Sequence, residues 1–134
     1  DRLRSRGLGD VYKRQVNAIA EHNQRKALDL YYDLLTLKEP PMRILFLLAK
    51  QFRQLLLVKE YAEEGIPQPV MASRLGVPSF VVKNIAVCAR SYRISELRQA
   101  VTDFVDAEEA VKTGRLQDVL SVELLIVKYS SARR

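Results

Sequence analysis

The side chains that most often carry out chemistry are scarce in this sequence. His22 is the single histidine and Cys88 the single cysteine among the 134 residues. A nucleophile needs a nearby base, and no spacing pairs Cys88 or a serine with His22. A single thiol also excludes an internal disulfide and a metal site built from several thiolates. We therefore expect a solvated His22 and a buried, unreactive Cys88.

The acidic side chains form no pattern that indicates catalysis or metal binding. Pairs such as Glu63–Glu64 and Glu108–Glu109 stand near lysines and arginines on predicted helix surfaces, where solvation is their ordinary role. Gly7 and Gly9 have no strand before them, so they do not form a phosphate-binding loop. The sequence therefore predicts no catalytic residue, no metal ligand, no cofactor and no enzyme activity for this chain.

Glu108 is a charge at an unexpected position. It falls within the apolar stripe of a predicted helix, formed by Leu97, Val101, Phe104 and Val111. A buried carboxylate needs a partner because its desolvation costs free energy. Lys112, four residues on, is placed for a local ion pair worth about 0.2–0.5 kcal/mol when exposed. A surface pair is the first interpretation. The alternative places both side chains in a contact with a neighbouring subunit.

The net charge of +6 is unevenly distributed along the chain. Residues 1–15 hold five basic and two acidic side chains, whereas the rest of the chain has 17 basic and 14 acidic side chains. Residues 1–15 show no helical stripe, so we expect them to contribute little core. The stretch from Leu8 to Gln15 also resembles a translated sequencing adaptor. We interpret residues 1–15 as a non-native or disordered head, and residues 16–132 as the domain of a fragment.

From Val16 onward, apolar residues recur three and four apart, which predicts an all-α fold. Prolines and glycines separate the periodic segments, as expected for helix ends. A short turn of helix is predicted at residues 16–21, and a short helix is predicted at residues 69–75. Five main helices are predicted to form a bundle, at about residues 23–38, 41–64, 79–92, 95–114 and 116–129.

The helix from Pro41 to Glu64 is the most apolar of the five, with apolar side chains over more than half of its circumference. We expect other helices to surround it at the centre of the bundle. Asn23, Ser79 and Ser95 are the predicted N-caps of three other helices. The longest apolar run, Ile44–Ala49, is far shorter than the roughly 20 residues of a membrane span, and no secretory signal is visible. We expect a cytoplasmic location.

The segment from Met71 to Lys83 looks like a helix-turn-helix of a DNA-binding protein. The second helix of such a motif presents polar and basic side chains to base edges. Here the second helix is mostly apolar, leaving Lys83, Asn84 and Arg90 for that role, so we expect it to be packed. A helix-turn-helix DNA-binding regulator remains the alternative function.

Three separated motifs resemble successive signatures of one known family. They are Leu45–Leu57 (LFLLAKQFRQLLL), Leu75–Lys83 (LGVPSFVVK) and Val111–Tyr129 (VKTGRLQDVLSVELLIVKY), and Val16–Leu37 is similar to the junction before them. Their order and spacing also agree. The chain therefore resembles the C-terminal domain of the delta subunit of the bacterial DNA polymerase III clamp loader.

That resemblance implies a role in assembly. It implies a helical bundle that joins counterparts in delta-prime and gamma/tau-type subunits in a ring-shaped collar, in support of sliding-clamp loading during DNA replication. It also implies that the sliding clamp is reached only through the N-terminal part of the subunit, that DNA contact is indirect, and that no membrane is involved. The parent subunit would belong to the DNA polymerase III holoenzyme, a DNA-directed DNA polymerase.

Matching the motifs residue by residue yields candidate partner contacts. Gln51 and Arg53 belong to the Gln-Phe-Arg of the long helix, Lys83 follows the Val-Val pair, and Lys112 belongs to the Lys-x-Gly turn. Glu108 stands where the family pattern leads us to expect an aspartate, a change that keeps the charge but alters the reach. These five residues are the predicted interface candidates, and arginine in particular is enriched in protein contacts.

Overall fold

The structure, a computed structural model, describes residues 8–131. Within that range the chain forms helices joined by short turns, and no strand. In chain order they are α1 (Leu8–Ala20), α2 (Gln24–Thr36), α3 (Pro41–Glu63), α4 (Gln68–Leu75), α5 (Ser79–Ala89), α6 (Ile94–Lys112) and α7 (Asp118–Ser130). The all-α prediction is confirmed for these residues.

The predicted count of five helices is wrong, because residues 8–131 form seven. The short helix predicted at residues 69–75 is confirmed as α4. The turn expected near residues 16–21 is the end of α1, which has 13 residues. The domain boundary predicted after residue 15 falls inside this helix. Each of the two parts is too short to show an apolar stripe.

Helix α1 contributes to the core, contrary to the expectation for residues 1–15. Val11, Tyr12 and Gln15 are all buried. The Gln15 Nε2 atom donates a hydrogen bond to the Ala27 carbonyl at 3.2 Å, which ties α1 to α2. Burial, together with the nearby Glu39 carboxylate, raises the pKa of Tyr12 to about 12. The foreign origin of residues 1–15 stays a prediction, and residues 1–7 and 132–134 lie outside the described range.

The N-caps were predicted correctly for α2 only. The Asn23 side chain accepts a hydrogen bond from the Lys26 backbone N–H at 3.2 Å, as expected. Ser79 is instead the first residue of α5, because the extended backbone of Pro78 takes the cap position. Ser95 likewise lies inside the first turn of α6, whose cap position is held by Arg93. The serine signal was therefore offset by one or two residues.

Helix α3 is the centre of the fold, as predicted. It packs against α1, α4, α5, α6 and α7. The Phe52 ring lies 5.3 Å from the Phe104 ring and 5.7 Å from the Tyr129 ring, measured between centroids. Because Phe52 meets Phe104 and Glu60 meets Arg98, α3 and α6 run antiparallel.

Helices α1 and α7 lie between α2 and α3, since each of them contacts both. His22 secures the end of α7, where its Nδ1 atom lies 2.7 Å from the Ser131 carbonyl oxygen and its ring packs edge-on against Tyr92. The expectation of a solvated His22 is therefore wrong. The sequence could not show this contact, because the two residues are 109 positions apart.

Among residues 8–131, no single helix is long and apolar enough to cross a membrane. Within the same range, α4 and α5 taken together are long and apolar enough for a membrane span, by length and composition alone. The chain bends by 104° at the turn between these two helices.

Candidate protein interface

One side of α3 is not covered by the other helices. Its exposed residues, which we call the α3 stripe, are Arg43, Phe46, Lys50, Arg53 and Leu57. The expectation that α3 is surrounded is therefore wrong on this side, where Phe46 and Leu57 are 56% and 37% exposed. The steps between stripe residues are three and four in alternation, which is the spacing that a neighbouring helix packs against.

The α3 stripe presents three cations, of which two are not neutralised within the described part of the chain. Arg43 lies 3.6 Å from the carboxylate of Glu39, which is itself buried. Lys50 and Arg53 form no ion pair with any other described residue. The middle of the stripe therefore carries two free positive charges between two exposed apolar side chains.

A groove runs beside the α3 stripe, between α1, α3 and α5, with a volume of about 530 Å³. Lys50 belongs to both surfaces, because its side chain also lines the groove. The other polar groups that face the groove include Gln51, Gln54, Asn17 and Asn84. A groove lined by both amide and apolar side chains can bind polar and apolar groups of a partner. Amide side chains carry out no covalent chemistry.

Cys88 lines this groove and is half-buried rather than fully buried as predicted. Its Sγ atom donates a hydrogen bond to Asn17 Oδ1 at 3.0 Å. Burial and the nearby Glu21 carboxylate raise the pKa of the thiol. A raised pKa keeps Cys88 protonated at neutral pH, and the thiolate is the reactive form.

The five predicted interface residues lie on three neighbouring helices. Arg53 is on the α3 stripe, and Gln51, which is half-buried, lines the groove. Lys83 is exposed on α5, next to the groove residue Asn84. Glu108 and Lys112 lie on α6, the helix that packs beside α3. The structure thus places all five on the surface of the α3, α5 and α6 layer, without joining them in one cluster.

Glu108 and Lys112 form the local surface pair that was the first interpretation. The Lys112 Nζ atom donates to Glu108 Oε1 at 3.2 Å, and 46% of the Glu108 side chain is exposed. A second ion pair joins α6 to α3, with 3.3 Å between Arg98 and Glu60. Both carboxylates are thus partnered within the domain.

Sequence reasoning missed Phe46, Lys50 and Leu57 as surface residues. Phe46 and Leu57 were assigned to the apolar surface that other helices cover, since hydrophobicity alone does not distinguish a covered from an uncovered side. A signal was available in the cations: Arg43, Lys50 and Arg53 recur at intervals of seven and three within an otherwise apolar helix.

Helix α5, which was expected to be packed, is packed on one of its sides and exposed on the other. Val82, Ile85 and Ala89 are buried, whereas Phe80 and Val87 are 64% and 54% exposed. The exposed side therefore offers two apolar groups. Such a surface is more suited to protein contact than to reading base edges, which requires polar groups.

A second surface of the domain, on α2 and α7, has a different chemistry. Tyr32, Leu120 and Leu124 are exposed large apolar residues. Asp29 and Asp33 are exposed on α2, and Asp118 and Glu123 are half-exposed on α7. Desolvation and the neighbouring Glu123 carboxylate raise the pKa of Tyr32. We call this acidic and apolar surface the α2/α7 face.

The geometry is that of a helical domain with uncovered apolar side chains on its surface, and comparison with known proteins assigns its family. Residues 14–129 match the family model of the DNA polymerase III delta subunit, C-terminal domain. The chain therefore belongs to the family formed by the C-terminal domains of DNA polymerase III delta subunits. The matched range includes Met71–Lys83, the segment that suggested a helix-turn-helix. The match therefore gives no support to the alternative of a DNA-binding regulator.

Two relatives carry the comparison further. The chain is 34% identical over 113 residues to DNA polymerase III subunit delta of Bacillus subtilis (strain 168), covering 84% of this chain and 33% of the relative. It is also similar to the solved structure of the Bacillus subtilis DNA clamp loader delta protein, with a TM-score of 0.86, 32% identity, and coverage of 93% of this chain and 37% of that one. The chain thus spans about a third of the length of these relatives.

Proposed function

We propose that this chain is the collar domain through which a delta subunit assembles with the other subunits of a DNA polymerase III clamp loader. In that role it supports loading of the sliding clamp in DNA replication in the bacterial cytoplasm, and has no chemistry of its own. Its partners are delta-prime and gamma/tau-type subunits. The sliding clamp is contacted by other parts of the delta protein, and contact with DNA is indirect.

The observation that carries this proposal is the uncovered side of α3. A central helix of a bundle usually buries all of its apolar side chains, yet Phe46 and Leu57 remain exposed at a spacing that suits helix packing. In a member of the delta family, such a surface fits a contact between subunits. Gln51, Arg53, Lys83, Glu108 and Lys112 remain the candidate contact residues, and all five lie on this layer of the domain.

The direct test is assembly. The chain is mixed with the delta-prime and gamma/tau-type subunits of Bacillus subtilis and run on size-exclusion chromatography at moderate salt. We expect co-elution in a stable complex. A chain that elutes alone at micromolar concentrations, while its circular dichroism shows the folded helical domain, contradicts the proposal.

A further inference from the structure

We propose that the α3 stripe and the adjoining groove bind an acidic helical face of a neighbouring subunit, in which exposed apolar side chains stand between carboxylates. The inference rests on the proposed assembly function and names the surface and the chemistry of its occupant. The function itself requires only that some face of the domain binds a partner.

The spacing of the α3 stripe identifies the occupant as a helix. Phe46, Lys50, Arg53 and Leu57 follow each other at intervals of four, three and four, and so form a continuous row along the helix. From Arg43 to Leu57 this row is roughly 21 Å long, at 1.5 Å per residue. Three turns or more of a partner helix can lie along such a row, with its own side chains between those of the stripe.

The positive charge of the stripe indicates that the occupant carries negative charge. Lys50 and Arg53 have no carboxylate partner among the described residues, whereas Glu60 on α3 is paired with Arg98, and Glu108 on α6 is paired with Lys112. The domain therefore neutralises the neighbouring charges and leaves these two available. Complementary carboxylates on a partner increase the rate of association and select the correct partner.

The groove provides depth beside this row. Lys50 stands at its edge, and the half-buried Gln51 and Gln54 face into it from α3. On the other side, the exposed Val87 of α5 extends the apolar surface. The groove has a volume of about 530 Å³, which accommodates one or more large side chains of the occupant. Anchoring side chains in such pockets contribute most of the affinity of a protein interface.

The α2/α7 face of this chain is an example of the kind of surface that we propose for the occupant. This face combines the exposed Tyr32, Leu120 and Leu124 with four carboxylates, and α1 and α7 separate its helix α2 from α3. One domain thus carries a basic contact surface and a separate acidic one. Head-to-tail contacts between different faces generate closed rings when the rotation between subunits allows it.

The test compares two charge-reversal variants of equal charge change. The stripe variant carries Lys50→Glu and Arg53→Glu, and the control variant carries Arg14→Glu and Arg74→Glu, two exposed arginines outside the stripe and the groove. The dissociation constant for the delta-prime and gamma/tau-type subunits of Bacillus subtilis is measured by fluorescence anisotropy. We expect at least a tenfold weaker binding for the stripe variant and less than a twofold change for the control.

A third variant, Phe46→Ser, separates packing from charge. We expect it to weaken binding several-fold at every salt concentration, whereas the effect of the stripe variant diminishes as added salt screens the charges. Thermal melting of all three variants verifies that the exposed positions leave the fold intact.

The outcomes separate the inference from the function on which it rests. If the unchanged chain does not bind the subunits, the proposed function fails and the inference fails with it. If the unchanged chain binds and the stripe variant binds equally well, the assembly function stands and the inference is overturned. Two further results also overturn it: a stripe variant that loses only self-association, which makes the occupant a second copy, or one that loses only affinity for a DNA duplex.

Discussion

At the scale of single residues, the Asp103 carboxylate joins α6 to α7. It accepts hydrogen bonds from Gln99 at 2.8 Å, from Lys128 at 2.7 Å, and from the Tyr129 hydroxyl. Burial alone would raise the pKa of Asp103, but the hydrogen bonds from Lys128, Tyr129 and Gln99 hold it below its ordinary value. The ionised carboxylate is therefore favoured by the folded state.

This depressed pKa predicts a stability that depends on pH. The contribution of Asp103 is complete above its unfolded pKa of about 3.9 and is lost as the pH falls through the lower folded value. We expect Asp103→Asn to lower the free energy of unfolding by about 1–3 kcal/mol at pH 7, because hydrogen bonds to a charged group are lost. Urea unfolding from pH 7 to pH 3 measures this difference, and a difference that does not shrink below about pH 4 contradicts the assignment.

Two phenylalanines on α3 show how position decides the effect of a residue. Phe52 is buried among aromatic rings, whereas Phe46, six residues earlier, is 56% exposed. We expect Phe52→Ala to cost about 3–5 kcal/mol because it leaves a cavity in the core. Phe46→Ala, its matched control, is expected to change stability by about 0.5 kcal/mol or less. Chemical unfolding of both variants checks this, and similar losses in the two would place Phe46 in the core.

At the scale of elements, the end of α6 depends on backbone conformation. Gly114 has a φ of +75°, and a Cβ atom added there would meet no other atom within 4 Å. The cost of a side chain at this position is therefore backbone strain alone, about 1–2 kcal/mol for alanine. We expect Gly114→Asn to be less destabilising than Gly114→Ala, because asparagine tolerates the left-handed region better. Thermal melts of both variants measure the order, and a reversed order would contradict this account.

Helix α1 yields a second prediction at this scale. Val11 and Tyr12 are buried although they lie in the segment interpreted as a head, and Lys13 beside them is exposed. If α1 packs as described, Tyr12→Ala removes buried aromatic area and is expected to cost about 3 kcal/mol or more. Lys13→Ala is the control, with an expected change of about 0.5 kcal/mol or less. A negligible effect of Tyr12→Ala in urea unfolding would show that this part of α1 is dispensable.

At the scale of the whole molecule, substitutions on the surface formed by α3, α5 and α6 distinguish the proposed assembly role from a role in stability. The Glu108–Lys112 pair is exposed, and such pairs contribute about 0–1 kcal/mol to folding. We therefore expect Lys112→Ala to leave the melting temperature within about 2 °C of the unchanged chain. If Lys112 contacts a partner, the same variant weakens binding to the loader subunits. A lowered melting temperature with unchanged binding would make the residue structural.

The distribution of charge over the surface of the domain also belongs to this scale. A net charge of +6 suggests a uniformly basic protein, but two surfaces of the domain differ in the sign of their charged side chains. The α3 stripe is basic and the α2/α7 face is acidic. Net charge therefore says little about partners here, whereas the arrangement of charges on the fold does.

The sequence by itself determined the features that depend on near neighbours in the chain. Apolar residues three and four apart predict helices, and Asn23, Pro41 and Gly114 mark their ends, because capping and proline geometry act within one turn. The three motifs that indicate the delta family are also readable along the chain, and so is the local pair of Glu108 and Lys112. The predicted central place of α3 followed from its apolar surface alone.

Only the tertiary structure decided which surfaces meet. The uncovered side of α3, the contact between His22 and Ser131, and the hydrogen bonds of Asp103 to α7 join residues far apart in sequence or depend on where neighbouring helices lie. The same apolar side chain can be core or contact surface, and the choice is made when helices pack, because burial is a property of the assembled bundle. The candidate interface was therefore predicted only in part, with Arg53 recognised and Phe46, Lys50 and Leu57 missed.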